Sequence, residues 1–364
     1  MNGAVKRQRQ RLLAINFGGI GDEILFLPTL EAMKQLDENC HITLLLEPRS
    51  QSIKQLTATI DQVLTFDIKK RPLLVSDLLD LLALLRAGNY HKVVSSGSSP
   101  LVCLLLFLSG IPERIGYDSG RLSHFLLTKP VKLNYEQYAA NMYRDLVSPH
   151  SSNRDEALPS ILLQNSSLYP MKQLASKKDR ESTRIIVIHP GTSQLAVKKG
   201  IIKTWPAQSW TDLIERLLDH NDIEVILAGG PDDAEVISDI SAALELRHLA
   251  TKVVMAFGKT KSLADLAALI SLSDLLVCVD SAPMHIGVGL GRPLVALFGA
   301  TDQNKLLPKD NRFRSLSLKQ KHARRPTKEE LLSGVQLPPD IVYQAVMDQL
   351  QLSSSLKRPL ESSL

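Results

Sequence analysis

Cysteine is scarce in this chain, three in 364 residues, and Cys40, Cys103 and Cys278 each stand in or beside an apolar run. Their spacing matches neither a disulfide framework nor a metal motif, which predicts buried thiols in a reducing compartment. Aromatic residues make up only 5%. None is interleaved with the basic clusters Lys6, Arg7, Arg9, Arg11 and Lys319, Lys321, Arg324, Arg325. Without base-stacking platforms, nucleic acid is not an expected partner. Long hydrophobic runs are missing too. The longest, Leu101 to Leu108, is too short to span a bilayer as a helix. It is expected to be a buried sheet-packing helix rather than a membrane-surface element. The apolar stretch after the basic N-terminus stops within a few residues at Asn16, too short for a secretory signal, so the expected location is the cytoplasm. No H-x-x-x-H or D-x-D motif occurs, and no metal or other cofactor is expected. The net charge of +5 is weighted towards the ends. It leaves anionic partners open: a nucleotide, a phosphorylated acceptor, or peripheral contact with an anionic membrane at its inner face.

What is present is an alternation of strand and helix signals. LLAINF, HITLLLEP, QVLTFD and HKVVSS read as strands, with helices over Ile24–Leu36, Leu73–Leu85 and Leu101–Leu108. Leu73–Leu85 is so apolar that packing against a sheet is expected. Polar stretches at Ser148–Ser160 and Ser176–Thr183 mark a domain boundary, placed at Lys178/Asp179. The pattern restarts with RIIVIHP, a helix over Trp205–His220, then IEVILAGG, KVVMAFG, DLLVCVD and RPLVALFG. Asp310–Arg325 has no clear assignment, Pro338–Leu352 reads as a terminal helix, and residues 353–364 as a flexible tail. The expected fold class is α/β: two Rossmann-like parallel-sheet domains, 1–178 and 179–352, facing across a cleft at the carboxyl ends of their strands.

The strand-to-helix turns carry the chemistry. Gly18, Gly19 and Gly21 follow the first strand, where glycines let a ligand approach backbone N–H groups. They are not a full G-x-G-x-x-G fingerprint. Asp22 stands at the following helix start, either as a cap or as a base for an acceptor hydroxyl; Glu23 is its rival. His189, Thr192 and Ser193 form a second turn suited to phosphate oxygens. Lys203 precedes a helix N-terminus, the wrong end for a cation to complement the dipole. An anion between them would explain it, and Lys198 and Lys199 are close enough to share the role. Trp205 is read as core. Asp280 ends the strand DLLVCV, and Ser281 opens a helix whose first N–H groups are available to an anion. His285 lies one turn on, and Gly299, Thr301 and Asp302 end the next strand. Asp280 is expected to bond a hydroxyl or N–H rather than phosphate.

These segments together resemble glycosyltransferase family 9, the ADP-heptose:lipopolysaccharide heptosyltransferases. FGGIGDEILFLPTLEAMK, HPGTS, KTWPAQSW, ILAGGPDD and the run SLADLAALISLSDLLVCVDSAPMHIGVGLGRPLVALFGATD carry the likeness, from about Leu12 to Asp302. The resemblance implies a GT-B fold and a metal-independent, inverting transfer from a nucleotide sugar, ADP-heptose by family expectation, to a glycolipid or oligosaccharide acceptor. It implies that the N-terminal domain binds acceptor, with Asp22 as base, and that Lys203 contacts the donor diphosphate. Asp280, Ser281, Ala282, Met284 and His285 would form the donor segment beside Gly299 to Asp302. Asp232, Asp233 or Glu235 would meet the ribose. A monomer is expected. The rival readings are a relative using another nucleotide sugar for a different glycan, a non-catalytic nucleotide-sugar-binding protein, and a nicotinamide-dependent dehydrogenase. The last suffers from its incomplete fingerprint, and its ribose candidate Glu47 stands in an E-P pair more like a loop start.

Overall fold

The computed structural model describes residues 9–148, 155–175, 183–198, 200–318 and 327–356. The chain divides into two compact units, Met1–Ser160 and Ile161–Leu364. In the first, β1 (Arg11–Ile15), β2 (His41–Leu46), β3 (Gln62–Thr65), β4 (Lys92–Ser95), β5 (Glu113–Tyr117) and β6 (Lys129–Val131) form one sheet in the order β3-β2-β1-β4-β5-β6. Every pairing is parallel. All of β1 after Arg11 is buried, as a strand covered on both faces requires.

The helices of this unit are α1 (Ile20–Leu36), α2 (Val75–Ala87), α3 (Pro100–Leu108), α4 (Arg121–Leu126) and α5 (Ala139–Arg144). Leu81 and Leu85 of α2, Cys103 and Leu106 of α3 and Leu126 of α4 share a core with Leu13, Ile15 and Val93. α2 packs against the sheet as expected, and what the structure corrects is the expected burial of α3. Of its many apolar residues α2 buries only Leu81 and Leu85, and α3 only Cys103 and Leu106; Leu79, Leu101, Leu104 and Phe107 are exposed. A helix lying on a sheet sends one stripe inward. When its composition is apolar all round and no further layer covers it, the outer stripe meets solvent.

In the second unit β7 (Arg184–His189), β8 (Ile223–Leu227), β9 (Val254–Met255), β10 (Leu275–Val279), β11 (Leu294–Leu297) and β12 (Phe313–Leu316) pair in the order β12-β11-β10-β7-β8-β9, again all parallel. In each unit the first strand lies between the second and the fourth. The repeat that the sequence does not display is thus present in the topology. The helices are α6 (Asn165–Leu174), α7 (Gln194–Lys198), α8 (Ala207–Leu218), α9 (Ala234–Leu246), α10 (Leu263–Leu272), α11 (Ala282–Gly289), α12 (Gln303–Leu306), α13 (Lys328–Leu332) and α14 (Pro339–Leu356). β12 arises from the stretch without a sequence assignment, and α14 runs past Leu352.

The division between units falls upstream of Lys178/Asp179 because α6 packs against α10 of the second unit. Residues 176–182 lie outside the described residues, as do Lys6, Arg7, Lys199, Lys319, Lys321, Arg324, Arg325 and the tail from 357. The core of the second unit gathers Trp205, Trp210, Leu213, Val225, Val277 and Val342, with the two indoles edge-on at 5.0 Å. Fully burying side chains of this size contributes roughly 1.5–3 kcal/mol each. All three cysteines are buried and free. No helix among the described residues is long and apolar enough to cross a membrane.

Candidate active site

In a sheet of this strand order, successive connections leave the first and fourth strands in opposite directions, and ligands enter the crevice beyond their carboxyl ends. In the second unit those ends carry His189 on β7 and Asp280 just after β10. Asp280 is buried, and a buried carboxylate needs a partner. Lys203 supplies it: Nζ donates to Asp280 Oδ2 at 2.7 Å across 77 positions of sequence. Burial by itself would raise the Asp280 carboxyl; the Lys203 ammonium, with His285 and Thr301, outweighs it and holds the group below the usual carboxylate range. The anion that Lys203 meets in this structure is therefore a carboxylate of the chain itself, and the N–H donor expected for Asp280 is the Lys203 ammonium.

Asp280 leads directly into α11. Ser281 is the N-cap residue and makes no capping hydrogen bond through its side chain; its hydroxyl donates to Val279 O at 3.3 Å. The first-turn amides of α11 are thus left without a side-chain cap beside an ammonium, a setting suited to an anion. Ala282 is half-buried, while Met284 and His285 are buried within the helix packing. Asp302 caps α12, accepting from Asn304 N at 3.0 Å.

The loop bearing Lys203 is braced by a segment that sequence reasoning missed. Ile202 N donates to Leu331 O at 2.7 Å and Val335 N to Thr204 O at 3.0 Å. The Trp205 indole, read correctly as core, donates to Leu337 O at 2.9 Å. Gly334 has φ +63, and a Cβ there would lie 2.8 Å from Thr204 O; a Cβ on Gly299 would lie 2.9 Å from Gly334 O. The strap from Leu331 to Leu337 therefore passes between the Lys203 loop and the end of β11. Its sequence signal is slight: one glycine before V-x-L.

At the end of β7, Thr192 is buried and Ser193 exposed, with Ser193 Oγ accepting from Ala196 N at 3.3 Å. His189 Nε2 lies 3.5 Å from Asp233 Oδ2. Burial pushes the imidazole below its ordinary value against the pull of Asp233, and pushes the Asp233 carboxyl above its own. Asp233 also accepts from Gly230 N at 2.7 Å, and a Cβ on Gly191 would strike its Oδ1 at 1.9 Å. Asp233 is thus a filler beneath the Gly191 turn. Of the three ribose candidates, Asp232 and Glu235 stay exposed, and Asp232 Oδ2 accepts from Gln194 N at 3.1 Å.

In the first unit, the corresponding strand ends are joined by Ser96 Oγ donating to Asn16 Oδ1 at 2.5 Å. Asp22 Oδ2 accepts from Gly19 N at 2.9 Å, so the capping role holds. Gly18 is required there, since a Cβ would sit 2.2 Å from that of Asp22. Asp22 remains half-buried, while Glu23 is buried. Glu47, the dehydrogenase ribose candidate, is buried and engaged by Arg49 at 2.8 Å and Lys69 at 2.5 Å.

Glycosyltransferase family 9 (heptosyltransferase) matches residues 79–335. The chain belongs to this family. This glycosyltransferase is 25% identical to lipopolysaccharide heptosyltransferase 3 of Escherichia coli over 78% of its own length and 81% of that protein. Its fold superposes on the E. coli ADP-heptose lipopolysaccharide heptosyltransferase II with TM-score 0.72 at 20% identity, covering 95% of this chain and 100% of the other. A family 9 glycosyltransferase of Veillonella parvula gives TM-score 0.74 at 20% identity, covering 94% and 98%. The two parallel-sheet units are those of a GT-B-like α/β fold.

One further feature of this family 9 enzyme escaped the sequence reading besides the strap. Lys69 Nζ donates to Phe17 O at 3.2 Å beside the glycine turn, a cation placed there by a loop far along the chain. Glu23, the rival to Asp22, is buried where Asp22 is half-buried. Burial, then the neighbouring Asp22 carboxylate, pushes its carboxyl well above the ordinary range. Buried away from any incoming hydroxyl, Glu23 is a poor rival to Asp22 as a base.

Proposed function

We propose that this enzyme transfers a heptose from ADP-heptose to a lipopolysaccharide-type glycan acceptor, with inversion and without a metal. The observation that carries the reading is the Lys203–Asp280 pair, 2.7 Å apart at the mouth of α11, within the segment that matches the family. In this mechanism Asp22 takes the proton of the acceptor hydroxyl as its oxygen attacks the anomeric carbon. The sugar passes through an oxocarbenium-like state. Negative charge grows on the departing diphosphate, where the Lys203 ammonium and the α11 amides stabilise it. Asp280 orients Lys203, which swings between its carboxylate and the phosphate oxygens. Asp232, accessible where Asp233 is not, takes the ribose hydroxyls.

The test is release of nucleoside diphosphate from a panel of nucleotide sugars, with chelator present, for the wild type and Asp22→Asn. An asparagine Oδ1 still accepts from Gly19 N, so the cap survives while the base is lost. ADP release from ADP-heptose, dependent on acceptor and reduced about 10²-fold or more in Asp22→Asn at unchanged melting temperature, is the expected result. Turnover of a different nucleotide sugar only, or full activity in the variant, defeats the reading.

A further inference from the structure

The outward sides of α2, α3 and α4 are apolar in helical register. Val75 and Leu79 on α2, Leu101 and Leu104 with Phe107 on α3, and Leu122 and Phe125 on α4 are all exposed. Residues three or four apart on a helix share a face, so each set is a stripe. Phe125 is 80% exposed. The inward stripes already fill the core beneath, so folding of the unit does not need the outer ones. Charge frames them on one side. α3 has no charged residue at all. At its C-terminal end Arg86 of α2 donates to Leu108 O at 2.7 Å, and the Arg114 guanidinium stands 5.5 Å over the Phe107 ring. Arg121, exposed, opens α4 beside Leu122. Against these arginines stand Asp77, which Lys70 pairs at 2.9 Å, Asp118, which accepts from Ser123 Oγ at 2.7 Å, and Asp80.

Leucine and phenylalanine stripes fringed by guanidinium groups match the boundary of a bilayer with anionic headgroups. The apolar side chains enter the acyl region, and the exposed Arg86 and Arg121 meet phosphates. We propose that the outer face of α2, α3 and α4 docks on an anionic lipid bilayer and so carries the enzyme to a lipid-borne acceptor; that purpose, though not the docking chemistry, rests on the glycolipid reading above. This surface is separate from the basic ends of the sequence, whose charge alone suggests contact with an anionic membrane.

Co-sedimentation with phosphatidylcholine vesicles, with and without phosphatidylglycerol, tests it on the full chain. The wild type is expected to bind the anionic vesicles. Leu101→Ser/Phe125→Ser is expected to bind them about tenfold or more weakly, and Arg86→Ser/Arg121→Ser to lose the preference for anionic over neutral lipid. All three proteins should turn over ADP-heptose equally on a delipidated oligosaccharide acceptor. Wild type that ignores anionic vesicles, or apolar variants that bind like wild type, overturns the proposal. So does a wild-type dimer, by light scattering, that the apolar variants convert to monomer with no change in vesicle binding; the stripe then covers a second copy. Variant-sensitive vesicle binding without turnover of ADP-heptose upholds the surface and removes the substrate reading instead.

Discussion

Lys203 and Asp280 share one ion pair, and their substitution should separate folding from chemistry. Lys203→Ala leaves a buried carboxylate without its counter-ion, a loss of about 3–5 kcal/mol, and removes the cation proposed to stabilise the leaving group, which should lower kcat by about 10²–10³-fold. Adding Asp280→Asn takes away the unpaired charge. The double variant should recover most of the melting temperature and none of the activity; thermal unfolding and ADP release measure the two. Acid should act through the same carboxylate. The folded-state Asp280 value lies below the unfolded one, so its stabilisation is present above about pH 4 and is lost as pH falls through the folded value. Glu31 works in the opposite sense. Burial pushes it up to about 7, so the folded state favours its protonated form. That advantage is complete at low pH and is lost as pH rises through 7. Melting temperature between pH 5 and 8 should fall less in Glu31→Gln than in the wild type, a gain of about 1 kcal/mol or more at pH 8. Individual residues of the site were legible because strand-end turns put them in short motifs: Gly18 to Asp22, and Asp280 to His285. Their partners were not. Nothing local in the sequence says that Lys203 closes on Asp280, or that Asp233 is spent beneath Gly191.

Elements were legible where one periodicity governed them. The strands IIVI, LLVCV and LVAL announce themselves as buried on both faces. Which sides of α2 and α3 face outward was not legible, because a segment apolar on every side carries no mark of which side is inside. Only the sheet beneath settles that Leu81 points in and Leu79 out. The strap from Leu331 to Leu337 was invisible because its bonds go to backbone groups of the Lys203 loop rather than to a periodic pattern of its own. It is nevertheless a point of leverage on the site. Gly334→Ala adds a Cβ at a φ of +63, within 2.8 Å of Thr204 O, next to the residue that presents the lysine. Strain at such a position costs about 1–3 kcal/mol, and the loop can relieve it by shifting. The variant should raise the KM for the donor several-fold while leaving the acceptor KM unchanged. Steady-state kinetics with each substrate varied in turn measures that split; an unchanged donor KM would show that the strap does not position Lys203.

At the scale of the whole chain, two parallel sheets were legible from the alternation of strands and helices, and their common strand order was not, because parallel pairing leaves no register signal in sequence. Each unit has its own apolar cluster, one built on Leu13, Leu81 and Leu106, the other on Trp205, Trp210 and Val277. Every residue proposed to hold the donor belongs to the second. A ligand stabilises only the cooperative unit that binds it, by RT ln(1 + [L]/Kd), about 2.7 kcal/mol at a hundredfold excess over Kd. In calorimetry, ADP at that excess should therefore raise the transition that Val277→Ala lowers and leave in place the one that Leu81→Ala lowers. The two variants cost about 1–4 kcal/mol each through the cavities they open, enough to tell the transitions apart. A single transition that ADP and both variants move together would mean that the units unfold as one, and that donor occupancy also steadies the unit carrying Asp22 and the apolar stripes.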